Sequence, residues 1–129
     1  MLRRRIHPEG GLTAAQIDVL SLLDDLGRAR VTELAERRSC SQPAMSRLVE
    51  RLVGDGLVVR RVDHEDRRSA HVELTAEGRR LLESARARSA DLIAELIATL
   101  TPTERGALAA ALPVLDRILE ADRATGGRR

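Results

Sequence analysis

Residues 41–56 read SQPAMSRLVERLVGDG, and the reading of this stretch decides the fold. Met45, Leu48, Val49, Leu52 and Val53 fall at i, i+3, i+4, i+7 and i+8. That spacing predicts a helix with one apolar face aimed at a core. Ser41 suits the N-cap, and Pro43 suits the first turn, where its missing N–H leaves no bond unmade. Gly54 or Gly56 ends the helix. The opposite face carries Gln42, Ala44, Ser46, Arg47 and Arg51. These are small or hydrogen-bonding groups that can approach base edges and phosphates. Taken alone, a helix of this kind is more commonly plain scaffold, so the flanks must decide.

Upstream, Leu12-Thr13-Ala14-Ala15-Gln16 opens a helix, with Thr13 and Gln16 at capping-box spacing and Leu12 as the staple residue. Ile17, Val19, Leu20, Leu23 and Leu26 form its apolar stripe, and Gly27 ends it. Ala29-Arg30-Val31 reads as a short extended piece. Thr32 is expected to cap a second helix running from Glu33 to Arg38, with Leu34 and Ala35 inward. Arg38-Ser39-Cys40 is a turn, and the helix that opened this section follows. Two helices joined by so short a turn have the layout of a helix-turn-helix.

Downstream, residues 57–62 (LVVRRV) form a β-branched run that reads as a strand. Residues 63–68 (DHEDRR) are a charged loop. Residues 69–75 alternate, with Ala70, Val72 and Leu74 sharing one face. Two strands around a charged loop make a hairpin, and a hairpin directly after the third helix makes a wing. From Ala76, with Thr75 as cap, the apolar positions run on for about 24 residues, roughly 36 Å of helix. Thr101, Pro102 and Glu104 then start another helix as cap, first position and capping-box partner. Leu108, Leu112, Leu115 and Leu119 repeat at 4, 3, 4, a seam that calls for a partner helix. Pro113 interrupts that helix and is expected to kink it near Ala109. The expected class is mostly α (α+β). Residues 1–11 form a short basic stub, 12–75 a winged head, 76–122 the terminal helices, and 123–129 a disordered tail.

Composition narrows the function. All 22 basic residues are arginine, and there is no Phe, Tyr or Trp. Stacking of single-stranded bases on aromatic rings is therefore disfavoured. The lone Cys40 excludes an intrachain disulfide and points to a reducing compartment. No apolar run approaches a membrane span, and no hydrophobic segment follows the basic start, so a cytoplasmic protein without membrane association is expected. Cys40 near a helix start and Arg37/Arg38 could serve as a redox trigger, against the plainer role of a small buried hydrophobe. His7, His64 and His71 have no metal-ligand spacing. No nucleophile–base pair, phosphate loop or carboxylate pair is present, so no enzyme, cofactor or metal is expected. Between residues 32 and 75 eight arginines meet eight acids. Binding to a polyanion must then depend on how the charges are segregated.

The string LTAAQIDVL…VTELAERRSCSQPAMSRLVERLVGDGLVVRRVDHEDRRSAHVELTAEG resembles the MarR family of transcriptional regulators. It carries the family's L-T-x-x-Q opening, E-L-A helix, R-L-V-x-R-L…G-L-V helix and strand, D-x-R-R wing and L-T-x-x-G start, in order. The resemblance implies a homodimeric winged helix-turn-helix protein, a repressor or less often an activator, on a pseudo-palindromic operator in double-stranded DNA. In many members a small phenolic or lipophilic effector, or cysteine oxidation, releases it. It further implies a minor-groove arginine at Arg68 beside Arg67, with Asp66 holding the loop. Ser39, Ser41, Gln42, Ala44, Ser46, Arg47 and Arg51 are the other expected DNA contacts, and Arg30 can reach a phosphate. Leu96, Leu100, Leu108, Leu112, Leu115 and Leu119 are the expected dimer contacts. The departure is the first family helix, here expected to be truncated to residues 2–6. That opens an alternative, a winged-helix interaction module that pairs without specific DNA binding.

Overall fold

A computed structural model of the chain describes residues 11–66 and 69–126. The elements are α1 (Ala14–Leu26), α2 (Val31–Arg37), α3 (Gln42–Gly54), β1 (Val58–Val62), β2 (Ala70–Leu74), α4 (Ala76–Ala98) and α5 (Pro102–Gly126). This is the expected mostly helical winged arrangement. The chain divides into two units, Met1–Arg86 and Ala87–Arg129. Residues 1–10 of the expected basic stub lie outside the described residues.

In the first unit, local side-chain chemistry sets most helix ends. Thr13 Oγ1 accepts the Gln16 N–H at 3.2 Å, and Gln16 Oε1 accepts the Thr13 N–H at 2.9 Å. Gly27, at φ 77°, closes α1 by donating its N–H to the Leu23 carbonyl at 2.8 Å. The second helix begins earlier than Thr32 suggested. Ala29 and Val72 form an isolated antiparallel bridge, exchanging N–H···O bonds of 3.1 and 2.7 Å. That pairing holds the backbone extended through Arg30 (φ −81°, ψ 154°), so Arg30 is the N-cap and α2 starts at Val31. Thr32 sits inside the first turn and caps nothing.

The apolar stripes meet in one core. Val19, Leu20 and Leu23 of α1, Leu34 and Ala35 of α2, and Met45, Val49 and Leu52 of α3 are all buried there. Leu57, Val58, Val72 and Leu82 complete it. Leu48 packs against it partly buried. Val53, expected inside, is 38 % exposed. It stands about 100° around the helix from Leu52, beyond the edge of the covered stripe.

Strand β1 pairs antiparallel with β2 in the register Val58↔Leu74, Arg60↔Val72, Val62↔Ala70. These pairs share one face, as the alternation predicts. Only the base of the hairpin is covered, however. Val58 and Val72 are buried, whereas Ala70 and Val62 (58 % exposed) are not. The tip outruns the core, so inward parity there buries nothing.

Helix α4 is seated on the turn that follows α3. Thr75 Oγ1 donates to the Gly56 carbonyl at 2.6 Å and accepts the Gly78 N–H at 3.0 Å. The Thr75 N–H donates to the Leu57 carbonyl at 3.1 Å. Gly78 lies directly over that carbonyl, and a Cβ built there would sit 2.0 Å from the Leu57 oxygen.

A second fastening joins α1 to α4. The Asp24 carboxylate receives Arg79 Nη1 and Arg86 Nη1, each at 2.9 Å. The Arg86 hydrogen bond, assisted by both guanidinium charges, holds the Asp24 pKa below the usual carboxylate range. A lowered folded-state pKa adds stability above the unfolded value, and that stability is lost as pH falls through the folded one. We therefore expect Asp24→Asn to lower the melting midpoint at neutral pH. The gap to wild type should shrink once pH drops below about 4. Melting scans from pH 7 to pH 3 check this, and a gap that widened in acid would contradict it.

In the second unit, Thr101 and Glu104 form the expected capping box, with bonds of 2.9 and 3.2 Å. That contact lowers the Glu104 pKa. Arg105 donates to the Ile97 and Ala98 carbonyls at 3.3 and 3.1 Å, satisfying the end of α4. Helix α5 continues through Pro113 to Gly126, past residue 123, where the sequence suggested a tail. Leu100 and Leu108 are half-buried. By contrast, Leu92, Ile93, Leu96, Leu112, Leu115, Ile118 and Leu119 are all exposed.

Candidate nucleic-acid interface

Helix α2, its turn and α3 form the expected helix-turn-helix. The turn is tight because Ser39 adopts φ 51°, in the left-handed region. This lets the Ser39 N–H reach the Glu36 carbonyl and the Cys40 N–H reach the Ala35 carbonyl, both at 3.1 Å. A serine in this conformation is strained relative to glycine by about 1 kcal/mol or more. Glycine's extra freedom in the unfolded chain returns part of that. Ser39→Gly is therefore expected to raise the melting midpoint by a few degrees, for a net gain of about 0.5 kcal/mol. Calorimetry decides it, and a lower midpoint would rule out strain at Ser39.

Ser41 caps α3, its Oγ accepting the Ala44 N–H at 3.3 Å. Pro43 occupies the first turn, as expected. Ser39, Ser41, Gln42, Arg47 and Arg51 are exposed, while Ala44 and Ser46 are half-buried at the edge of the packed face. The structure thus brings these seven residues onto the turn and outer side of α3. Cys40 is a free, exposed thiol at the same turn rather than a buried hydrophobe. The wing candidates Arg67 and Arg68 lie outside the described residues. Asp66 is exposed, and its carbonyl accepts the Ser69 N–H at 2.9 Å, closing the wing turn.

The arginines of the first unit fall into two populations. Arg37 pairs with Glu33 at 3.6 Å, Arg38 with Asp18, and Arg61 with Glu73 at 2.9 Å. Arg79 and Arg86 share Asp24, and Arg80 holds Glu77 at 2.5 Å. Among the described residues, Arg28, Arg30, Arg47, Arg51 and Arg60 have no acidic partner within 4.0 Å. The structural arginines are neutralised inside the head, and those on α3 are not. Glu50 stands between Arg47 and Arg51 on the helix without pairing to either. Arg28 and Arg60 are cations to which the sequence reading assigned no role. Nothing in the run RR at 60–61 distinguishes the partner that finds Glu73 from the one that does not.

With a helix-turn-helix, a wing and unpaired cations on α3, comparison with known proteins is informative. A family model described as the MarR family matches residues 12–70. The chain is 30 % identical over 109 residues to the uncharacterized HTH-type transcriptional regulator YfiV of Bacillus subtilis, covering 84 % of this chain and 68 % of YfiV. It is 32 % identical over 110 residues to the HTH-type transcriptional repressor MdtR of the same species, covering 80 % and 71 %. The solved YusO protein of Bacillus subtilis superposes with a TM-score of 0.74 at 30 % identity, covering 82 % and 75 %.

Proposed function

The chain belongs to the MarR family of transcriptional regulators, and from that premise we propose that it is a dimeric repressor of a pseudo-palindromic operator. In this reading it is a regulator of transcription and not an enzyme. The observation that carries the DNA-binding step is α3, whose outer side holds Gln42, Arg47 and Arg51 exposed, with neither arginine within 4.0 Å of an acidic group among the described residues. Gln can pair with adenine and Arg with guanine in the major groove, and unpaired guanidiniums are free to meet phosphates. Ser39 and Ser41, with the first amides of α3, contact the phosphate at the helix start. Ala44 and Ser46 keep that side of the helix small enough for close approach to the bases.

The exposed leucines of α4 and α5 supply the second half of the reading. Leu96, Leu112, Leu115 and Leu119 pack against a second copy, with Leu100 and Leu108 beneath them at the helical turn. Two heads related by a two-fold axis then meet half-sites about one helical turn apart. Repression follows from occlusion of the promoter. A small lipophilic or phenolic effector releases the operator by favouring a head spacing that fits it poorly.

The decisive experiment is a gel shift with the duplex upstream of its own gene, run beside light scattering. A dimer that retards a palindrome supports the repressor. A monomer that ignores every duplex supports the interaction module instead. The wing is tested separately. Arg68→Ala is expected to weaken operator binding by about 1–3 kcal/mol with an unchanged melting midpoint. Equal affinities for the two proteins would remove Arg68 from the interface.

A further inference from the structure

Helix α4 meets the rest of the first unit along one stripe. Gly78, Arg79, Leu82, Ala85 and Arg86 recur at helical spacing on one side of it. Gly78 lies over the Leu57 carbonyl, and Leu82 and Ala85 are buried. Arg79 Nη1 and Arg86 Nη1 reach Asp24 on α1, each taking its own carboxylate oxygen at 2.9 Å. Past Ala85 the burial stops, and every residue from Arg86 to Leu96 is exposed. The first unit ends at the same point, Arg86.

The two arginines hold different things. Arg79 sits between Gly78 and Leu82, both buried, so its turn stays seated without the ion pair. Arg86 lies two turns further on, about 10 Å along the axis. Its bond to Asp24 is the last tie of α4 to α1 among the described residues. Leu82 and Ala85 press the helix down by apolar contact, which has no preferred direction. A hydrogen bond to one oxygen does have one. Any tilt about Thr75 also moves Arg86 further than Arg79, in proportion to its distance along the helix. An exposed pair of this kind adds little to stability, yet it sits where a small force controls the tilt best.

We infer that Arg86 is a positioning residue for operator binding. Its bond to Asp24 holds the last turn of α4 that belongs to the head, and thereby narrows the range of half-site separations a dimer accepts. The inference rests on the dimeric repressor reading above.

The test uses the full chain as wild type, Arg86→Ala, Arg79→Ala and Arg86→Lys. Each is bound to the palindrome upstream of its own gene and to the same duplex with two base pairs inserted between the half-sites. The insertion turns one half-site by about 70° relative to the other. Wild type is expected to bind the lengthened duplex about a hundredfold less tightly, and Arg86→Ala only about tenfold less. Arg79→Ala should discriminate like wild type. Arg86→Lys keeps a donor for the same oxygen and should restore discrimination. Both alanine variants remove one bond from one carboxylate, so their melting midpoints should fall by similar amounts. A merely structural role would make their discrimination fall alike as well. Amide exchange without DNA gives a second readout: residues 83–90 should exchange several-fold faster in Arg86→Ala and not in Arg79→Ala. An Arg86→Ala protein that discriminates like wild type, or an Arg79→Ala protein that loosens as much, overturns the inference, and so does unchanged exchange across 83–90. A wild-type protein that binds no palindrome refutes the repressor reading itself, and this inference falls with it.

Discussion

Replacing Gly78 with alanine is expected to destabilise the head by about 3 kcal/mol or more, lowering its melting midpoint by roughly 10 °C or more. The reasoning is steric. Gly78 is buried in the first turn of α4, over the turn that ends α3. The added Cβ would lie 2.0 Å from the Leu57 carbonyl oxygen, 2.9 Å from its carbon and 3.2 Å from its Cα. All three atoms are backbone, so no side chain can swing aside. The backbone also has little room to retreat. The same Leu57 carbonyl accepts the Thr75 N–H, and the Leu57 N–H is bonded to the Leu52 carbonyl at 3.0 Å. Relief requires α4 to lift off. That strains the Thr75 bonds to Gly56 and Leu57 and exposes Leu82, which is fully buried one turn further on. Alanine's better helix propensity, about 1 kcal/mol, cannot offset this. Gly106→Ala provides the control, because a Cβ there meets nothing within 4 Å. Calorimetry on both variants checks the prediction, and a Gly78→Ala midpoint within two or three degrees of wild type would refute it.

The second large effect concerns the helical seam. For the dimer proposed above, the double variant Leu96→Glu, Leu115→Glu is expected to shift the mass in light scattering from twice 14.2 kDa to 14.2 kDa. Leu96 is 59 % exposed and Leu115 47 % exposed in the isolated chain. Covering a leucine fully contributes about 1.5–3 kcal/mol. About half of each side chain is left to cover and a two-fold interface counts each residue twice, so the four side chains account for about 3–6 kcal/mol. That is enough to move a dissociation constant by several powers of ten. The glutamates also carry four charges into a surface that must lose its water. None of these positions belongs to the core of the first unit, so that unit should stay folded. Operator affinity should fall with the dimer, since one head then meets one half-site. A double variant that remains dimeric would place the interface elsewhere on the chain.

The reach of the sequence differs from element to element. The capping boxes of α1 and α5, the Ser41 cap and the Gly27 stop are all contacts within four residues. Their residue types predict them because both partners lie in one short window. Where a distant partner intervened, the same logic failed. Thr32 had the right chemistry for a cap, yet the Ala29–Val72 bridge, made across more than forty residues, set the start of α2. Val53 and Ala70 followed the periodicity of their elements, but periodicity states only which way a side chain faces. It does not state how far the covering layer extends.

The candidate site shows the same division. The sequence by itself determined the winged architecture, the extent of α3 and which of its residues face away from the core. Those follow from repeat spacing and from end signals that act over a turn or two. Only the tertiary structure decided which arginines stay free. Asp24 meets Arg79 and Arg86 across 55 and 62 residues, and Arg38 finds Asp18 across 20. Among the described residues Arg47, Arg51 and Arg60 are left without an acidic partner within 4.0 Å. Tertiary structure also decided Gly78, whose need for a bare backbone comes from Leu57, on another element. Local rules set what each segment becomes, because their energies are local. Pairing and close approach depend on where the chain returns, and no window of sequence contains both partners.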